Sequence, residues 1–345
     1  MLKKLALMAL TGLCAAALGG AFVQAAQAAD PAPQVVASGL KAPWSIAFSG
    51  DTPLVSERGT ARILALRPDG SAAPVATIAG VDGRGEGGLL GIAVHGGYLY
   101  AYFTAGDENR IERFRVEGRG SDLRLGPPQK IFGGIPSASY HNGGRIAFGP
   151  DDMLYASTGD AGQRSRAQDL NSLGGKILRM TPEGKPPRDN PFAGSYVYSY
   201  GHRNVQGLAW AADGKLYASE FGENTWDELN LIRPGGNYGW PEVEGKGGGD
   251  KFIDPLQQWP TAQASPSGIA IHGGSIYIAS LRGQRLRKVA LSAPATATEL
   301  YVGQYGRLRD VALAPDGRLW ILTNNTDGRG QPRPGDDRIL AVSAP

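Results

Sequence analysis

Six times along the chain a short apolar strand is followed by a turn and a second apolar strand: SIAFSGDTPLVSE, GIAVHGGYLYAYF, RIAFGPDDMLYAS, GLAWAADGKLYAS, GIAIHGGSIYIAS and DVALAPDGRLWIL. Their leading apolar residues, Ile46, Ile92, Ile146, Leu208, Ile269 and Val311, are spaced by 46, 54, 62, 61 and 42 residues. Each pair is followed by a third strand, in ARILALRPDG, NRIERFRVEG, GKILRMTPEG, DELNLIRPGG, QRLRKVALS and DRILAVSAP. Five copies then add a fourth, in APVATI, QKIFGG, YVYSY, PLQQW and TELYVG, while the sixth runs into the C-terminus. The missing strand stands at the other end of the chain, because PQVVASGL precedes the first copy as the fourth strands precede theirs. The pattern predicts an all-β fold, a six-bladed β-propeller of four-stranded antiparallel blades closed by the N-terminal strand. Helical-period segments of useful length, which a doubly wound α/β fold needs, are missing.

The N-terminus departs from this pattern. MLKKLALMALTGLCAAALGGAFVQAAQAAD carries Lys3 and Lys4, an apolar run and a small-residue end at Ala26-Gln27-Ala28. This reads as a signal peptide over residues 1–29, followed by one propeller domain over 30–345. The run is too short and poorly flanked for a membrane span, and Leu13 before Cys14 does not suit lipoprotein cleavage. A periplasmic or secreted product is expected.

Loss of the leader removes the only cysteine and two lysines, taking the formal charge from +3 to +1. Disulfides, cysteine-ligated zinc and covalently attached haem are thereby excluded. A near-neutral chain without basic clusters argues against nucleic acid or an anionic membrane as partner.

The propeller places the Asp-Gly and Gly-Gly turns at one face. Residues before each first strand and after each second strand share the other. The starts supply Trp44, Glu86, His141, Arg145, Arg203, Asn204, Gln206, Ser267, Arg307 and Arg309; the ends supply Glu57, Arg58, Asp107, Asp160, Glu220, Gly222, Glu223, Arg282 and Asn324. Such polar residues can simply knit blades together. Several guanidiniums around one small space nevertheless repel one another and call for an anion, and arginine forks suit carboxylates. A compact polycarboxylate fits that mouth. A lone histidine is more often a packing or turn residue than a catalyst. Beside cations, however, the neutral imidazole of His141 is favoured and can accept a proton, and Asp160, from the same blade, is placed to orient its other nitrogen.

These residues fall in EGGLLG (86–91), HNGGRIAFGPD (141–151), STGDAG (157–162), GHRNVQGLAW (201–210), FGENTWDELNLIRPGGNYGWP (221–241) and GRLRDVALAPDGRLWILT (306–323). In this order they resemble the soluble PQQ-dependent aldose sugar dehydrogenases of the glucose/sorbosone dehydrogenase family, over essentially the whole mature chain. The resemblance implies pyrroloquinoline quinone (PQQ), a tricarboxylate, and calcium as cofactors, an aldose as substrate and an external electron acceptor. It implies that His141 takes the proton of the anomeric hydroxyl while hydride passes to the quinone, giving a lactone, with Asp160 supporting His141. Arg203, Asn204, Arg307 and Arg309 would hold the quinone, and Glu86 and Arg282 stand where the family usually has Gln and Lys. The carbonyls of Gly222 and Glu223 would bind the cofactor calcium. The side chain of Glu228 and the carbonyl of Tyr238 would bind a structural one. Glu86 adds a negative charge near an anionic ligand, and the glycine-rich 243–252 stretch lacks the aromatic the family often supplies.

Two other functions compete. A calcium-dependent propeller lactonase would use Glu57, Asn204, Glu220 and Asn324 as side-chain ligands and leave the arginines idle. A non-enzymatic carbohydrate- or peptide-binding propeller leaves His141 and Asp160 unexplained.

Overall fold

The computed structural model describes residues 32–344, so the expected signal peptide lies outside the described residues. Six four-stranded antiparallel sheets follow one another around the ring. Five are sequential meanders, beginning with Pro43–Ser49, Leu89–His95, Ile146–Phe148, Val205–Trp210 and Pro266–His272. The sixth combines Leu308–Leu313, Leu319–Thr323 and Ile339–Val342 with the N-terminal strand Gln34–Ala37. Gln34 faces Ala341 and Val35 faces Leu340, so the ends of the chain close the ring as the missing fourth strand required. Among the described residues the helices are three short 3₁₀ turns.

Apolar clusters lie between successive blades, where each sheet buries both faces. Ala37, Ile46, Val55, Leu64, Trp320, Leu322 and Ile339 form the one that seals blade 6 against blade 1. This burial explains why the inner strands read as apolar runs rather than alternating ones.

Near the axis the first strands crowd together. A Cβ on Gly91 would lie 2.2 Å from the Gly144 carbonyl oxygen, and one on Gly268 would lie 1.8 Å from Asp310 Oδ1. The Gly-Ile-Ala start of these strands is therefore a packing requirement. Asp310 Oδ2 accepts from Ile46 N and from Arg145 Nη1, both at 3.0 Å, while Arg145 Nε donates to the Gln206 carbonyl at 2.9 Å. Arg145 thus links blades 1, 3, 4 and 6 around the channel, as the knitting alternative foresaw for a ring residue.

Candidate active site

Above this pin the channel opens into a cavity of about 370 Å³ lined by Trp44, Arg58, Glu86, Asn142, Gln206, Phe221, Arg282, Arg307, Arg309, Asp327 and Arg329, among others. Four of the six residues expected around the quinone, Glu86, Arg282, Arg307 and Arg309, therefore share one space with Trp44, Arg58 and Gln206, also expected at the mouth. Asn204 lies beside it, where its Oδ1 accepts from Gly143 N at 3.0 Å and Gln206 Nε2 at 3.2 Å. Arg203 donates Nη1 to the carbonyl of the lining residue Phe221 at 3.3 Å and sits over the Trp240 ring at 5.4 Å.

His141 is fixed at both ends. Its Nδ1 lies 2.7 Å from Asp160 Oδ1, and its backbone N–H donates to Glu86 Oε2 at 3.0 Å. It has φ +58°, a left-handed conformation uncommon outside glycine. Asp160 is buried. Its Oδ1 also accepts from Gly162 N at 2.8 Å, and its Oδ2 accepts from Trp240 Nε1 at 2.9 Å. Burial alone would raise the Asp160 carboxyl, but its bonds with His141, Gly162 and Trp240 prevail and hold it below its ordinary value. Trp240 was not picked out by sequence reasoning, although NYGWP advertised a buried aromatic.

The arginines differ from one another. Arg307 Nη2 pairs with Asp327 Oδ2 at 3.1 Å. Arg309 has only neutral partners, Gln206 Oε1 at 3.1 Å and Ser267 Oγ at 3.3 Å, with its guanidinium 5.5 Å from the Trp44 ring centre. Burial, and then the neighbouring Arg307 charge, push Arg309 below its ordinary value, and burial does the same to Arg203. The Nε atoms of Arg203, Arg307 and Arg309 and Nδ2 of Asn204 are buried without a hydrogen-bond partner. Buried donors are normally satisfied, so this arrangement is chemically suited to an anion with several acceptor oxygens.

Glu86 does not present a bare charge to that space. Its Oε1 accepts from Arg329 Nη1 at 2.8 Å and its Oε2 from His141 N. Burial would raise its carboxyl, but these two partners hold it below its ordinary value.

Among the described residues no three His, Cys, Asp or Glu side chains cluster to hold a metal. Backbone carbonyls are the available alternative. The 222–226 turn is shaped by Glu244, whose Oε1 accepts from the N–H groups of Glu223, Asn224, Thr225 and Trp226 at 2.6, 3.1, 3.1 and 3.1 Å. With its amides so engaged, the turn has the carbonyls of Gly222 and Glu223 free of protein donors among the described residues. Glu244 lies inside the glycine-rich 243–252 stretch, where nothing local marks it. Beneath the turn, Glu228 and Glu220 face each other across neighbouring strands. Burial and the Glu220 charge push the Glu228 carboxyl up from its ordinary value. The Oδ1 of Asn230, which bonds both carboxylates through its amide nitrogen, is buried without a donor. The Glu228 carboxylate, which has no cation paired to it among the described residues, and the orphaned Asn230 oxygen beside it suit a hard cation such as calcium.

Both carboxylates that a lactonase would use are already engaged: Glu57 is spent on Arg62, Thr60 and the Lys41 amide, and Glu220 on His202 and the Arg203 amide.

The glucose / sorbosone dehydrogenase family model matches residues 40–331. The chain belongs to the glucose/sorbosone dehydrogenase family. Within this family, the chain is similar to the PQQ-bound aldose sugar dehydrogenase of Streptomyces coelicolor, with 52% identity over 91% of this chain and 99% of that one and a TM-score of 0.87. Aldose sugar dehydrogenase YliI of Escherichia coli is 29% identical over 86% of this chain and 90% of its own. Quinoprotein glucose dehydrogenase B of Acinetobacter calcoaceticus is 34% identical over 61% of this chain and 52% of its own.

Proposed function

We propose that this protein is a quinoprotein oxidoreductase that oxidises aldose sugars at the anomeric carbon to lactones, using pyrroloquinoline quinone and calcium and passing the electrons to an external acceptor. The observation that carries the reading is the pair of buried arginines, Arg307 and Arg309, in the wall of one cavity, with Arg203 and Asn204 next to it and the His141–Asp160 pair alongside. Each of these three arginines, and Asn204, keeps a donor that the protein leaves unsatisfied. A tricarboxylate answers those donors. When bound, the quinone supplies a two-electron acceptor that the protein's own side chains lack.

The chain's residues do the rest. Asp160 holds Nδ1–H of His141, which leaves Nε2 free to take the proton of the anomeric hydroxyl. Arg307 and Arg309 bind and orient the carboxylates of the quinone, Arg203 and Asn204 complete its polar wall, and Arg282, exposed at the rim, offers one more cation. The carbonyls of Gly222 and Glu223 hold the cofactor calcium, and Glu228 with the Tyr238 carbonyl holds a second ion that relieves the Glu220–Glu228 repulsion. Removal of the 1–29 leader delivers the enzyme to the periplasm or the medium, where among the described residues no helix is long and apolar enough to cross a membrane.

The test is addition of pyrroloquinoline quinone and calcium to purified apoprotein, with dye reduction followed over a panel of aldoses. Reduction that requires quinone, calcium and sugar together is expected. Sugar-dependent reduction in chelator without quinone would overturn the reading.

A further inference from the structure

The turn before blade 2 and the turn before blade 3 are fastened to each other at two points. Glu86 N–H donates to the Ser139 carbonyl at 2.8 Å, and Glu86 Oε2 accepts the His141 N–H at 3.0 Å. The approach is close enough that a Cβ on Gly85, at φ +59°, would lie 2.2 Å from the Ser139 oxygen. Arg58 reaches in from blade 1 and donates Nη1 to the carbonyls of Gly85 at 2.6 Å and Gly87 at 3.2 Å, one on each side of Glu86. The remaining carboxylate oxygen receives Arg329 Nη1 at 2.8 Å from the loop between the last two strands of blade 6, 243 residues away. Blades 3 and 6 therefore meet at the carboxylate of this blade 2 residue, while blade 1 holds the backbone on either side of it.

The residue at the end of this chain of contacts is in a conformation that needs support. At φ +58°, His141 is held by three bonds: its N–H to Glu86, its carbonyl from Ala161 N at 3.1 Å, and its ring to Asp160. The last two lie within its own blade. Glu86 alone ties it to a neighbouring blade and, through Arg329, to the rim of the mouth. Each of the Glu86 oxygens already accepts from a protein donor.

We propose that Glu86 is a positioning residue for His141, clamped in turn by Arg329, rather than a contact to the cofactor. The role rests on the reading of His141 as the base. It gives a physical reason for a carboxylate at this position: an amide oxygen could still accept the His141 N–H, but only a carboxylate also pairs with the Arg329 guanidinium. The 324–338 loop is thereby coupled to the orientation of the imidazole.

The experiment compares Glu86→Gln, Glu86→Ala, Arg329→Ala and the double variant Glu86→Gln/Arg329→Ala. Amide hydrogen exchange at His141 is measured by NMR on the protein without cofactor, and kcat, KM and quinone affinity are measured with calcium. Arg329 is 61% exposed in its side chain, so its truncation leaves the fold intact. Protection of the His141 amide should fall at least about tenfold in Glu86→Ala and survive in Glu86→Gln. At saturating quinone, kcat should fall roughly ten- to a hundredfold in Glu86→Ala and about threefold in Arg329→Ala, with quinone affinity within about threefold of wild type. Arg329→Ala should add nothing in the Glu86→Gln background. Unchanged kcat with weakened quinone affinity would overturn the proposal and make Glu86 a cofactor contact. Undiminished amide protection in Glu86→Ala would overturn the anchor, and additive effects in the double variant would overturn the clamp. If the wild-type protein oxidises no aldose, the functional reading falls on its own, while the exchange measurement still decides whether Glu86 anchors His141.

Discussion

The Nδ1 atom of His141 lies 2.7 Å from Oδ1 of Asp160, although 19 residues of chain separate the two. The other Asp160 oxygen is fixed by Trp240 Nε1, so the carboxylate cannot turn away from the ring. His141→Ala should lose about a hundred- to ten-thousandfold in kcat while still binding quinone. Asp160→Asn should also lose at least about a hundredfold, because an amide no longer fixes the tautomer with Nε2 free. Steady-state kinetics alongside a quinone titration check both; unchanged turnover in His141→Ala would return the histidine to a turn residue.

The two arginines that share the cavity wall should respond oppositely in the empty protein. Arg309 is buried among neutral partners and next to Arg307, so Arg309→Met should hold or raise the melting temperature without cofactor. Arg307→Ala strands the buried Asp327 carboxylate and should cost about 1–3 kcal/mol. Both should shrink the rise in melting temperature that quinone and calcium produce in the wild type. A large loss of stability in apo Arg309→Met would make that arginine a structural pin between blades.

Removal of the Glu244 carboxylate frees four backbone amides at once, so Glu244→Ala should disorder the 222–226 turn and weaken calcium binding. Glu244→Gln, which retains an acceptor oxygen, should restore much of it. Calcium titrations followed by melting temperature distinguish the two. Equal calcium affinity in Glu244→Ala and wild type would detach this turn from the metal.

Lys176 is fully buried, and its ammonium donates to the carbonyls of Arg166, Ala167 and Gly174 at 2.6, 3.1 and 2.7 Å. Burial pushes it down to about 7 from 10.5, with Asp169 opposing weakly. Between those values the unfolded chain binds a proton that the folded chain has lost, so wild-type stability should rise with pH across that window. The rise is at most about 1.4 kcal/mol per pH unit, and the three carbonyls reduce it. Lys176→Met lacks the term. Urea unfolding at pH 7 and pH 9 should therefore show the wild type gaining on the variant at the higher pH; a constant difference would mean that Lys176 stays charged throughout.

Much of this protein was readable from local pattern. Six recurring strand pairs and a missing last strand determine the ring and its closure, because a sheet buried on both faces must be apolar throughout and its turns must be short. The alternation of strand ends between two faces was enough to bring Glu86, Arg282, Arg307 and Arg309 to one mouth, and His141 to Asp160. Other features depended on which blades become neighbours. Arg145, counted among the mouth cations, is spent on Asp310 across the channel. Glu86, seen in the sequence as an excess negative charge, is neutralised by Arg329 from the far end of the chain. Glu244 and Trp240 gain their roles from a loop folding back over a turn and over a carboxylate. Sequence period specifies where a strand starts and which way it faces, but the partner of a polar atom is set by segments distant in the chain: a loop folding back decides it for Glu244 and Trp240, and closure of the ring decides it for Arg145 and Glu86.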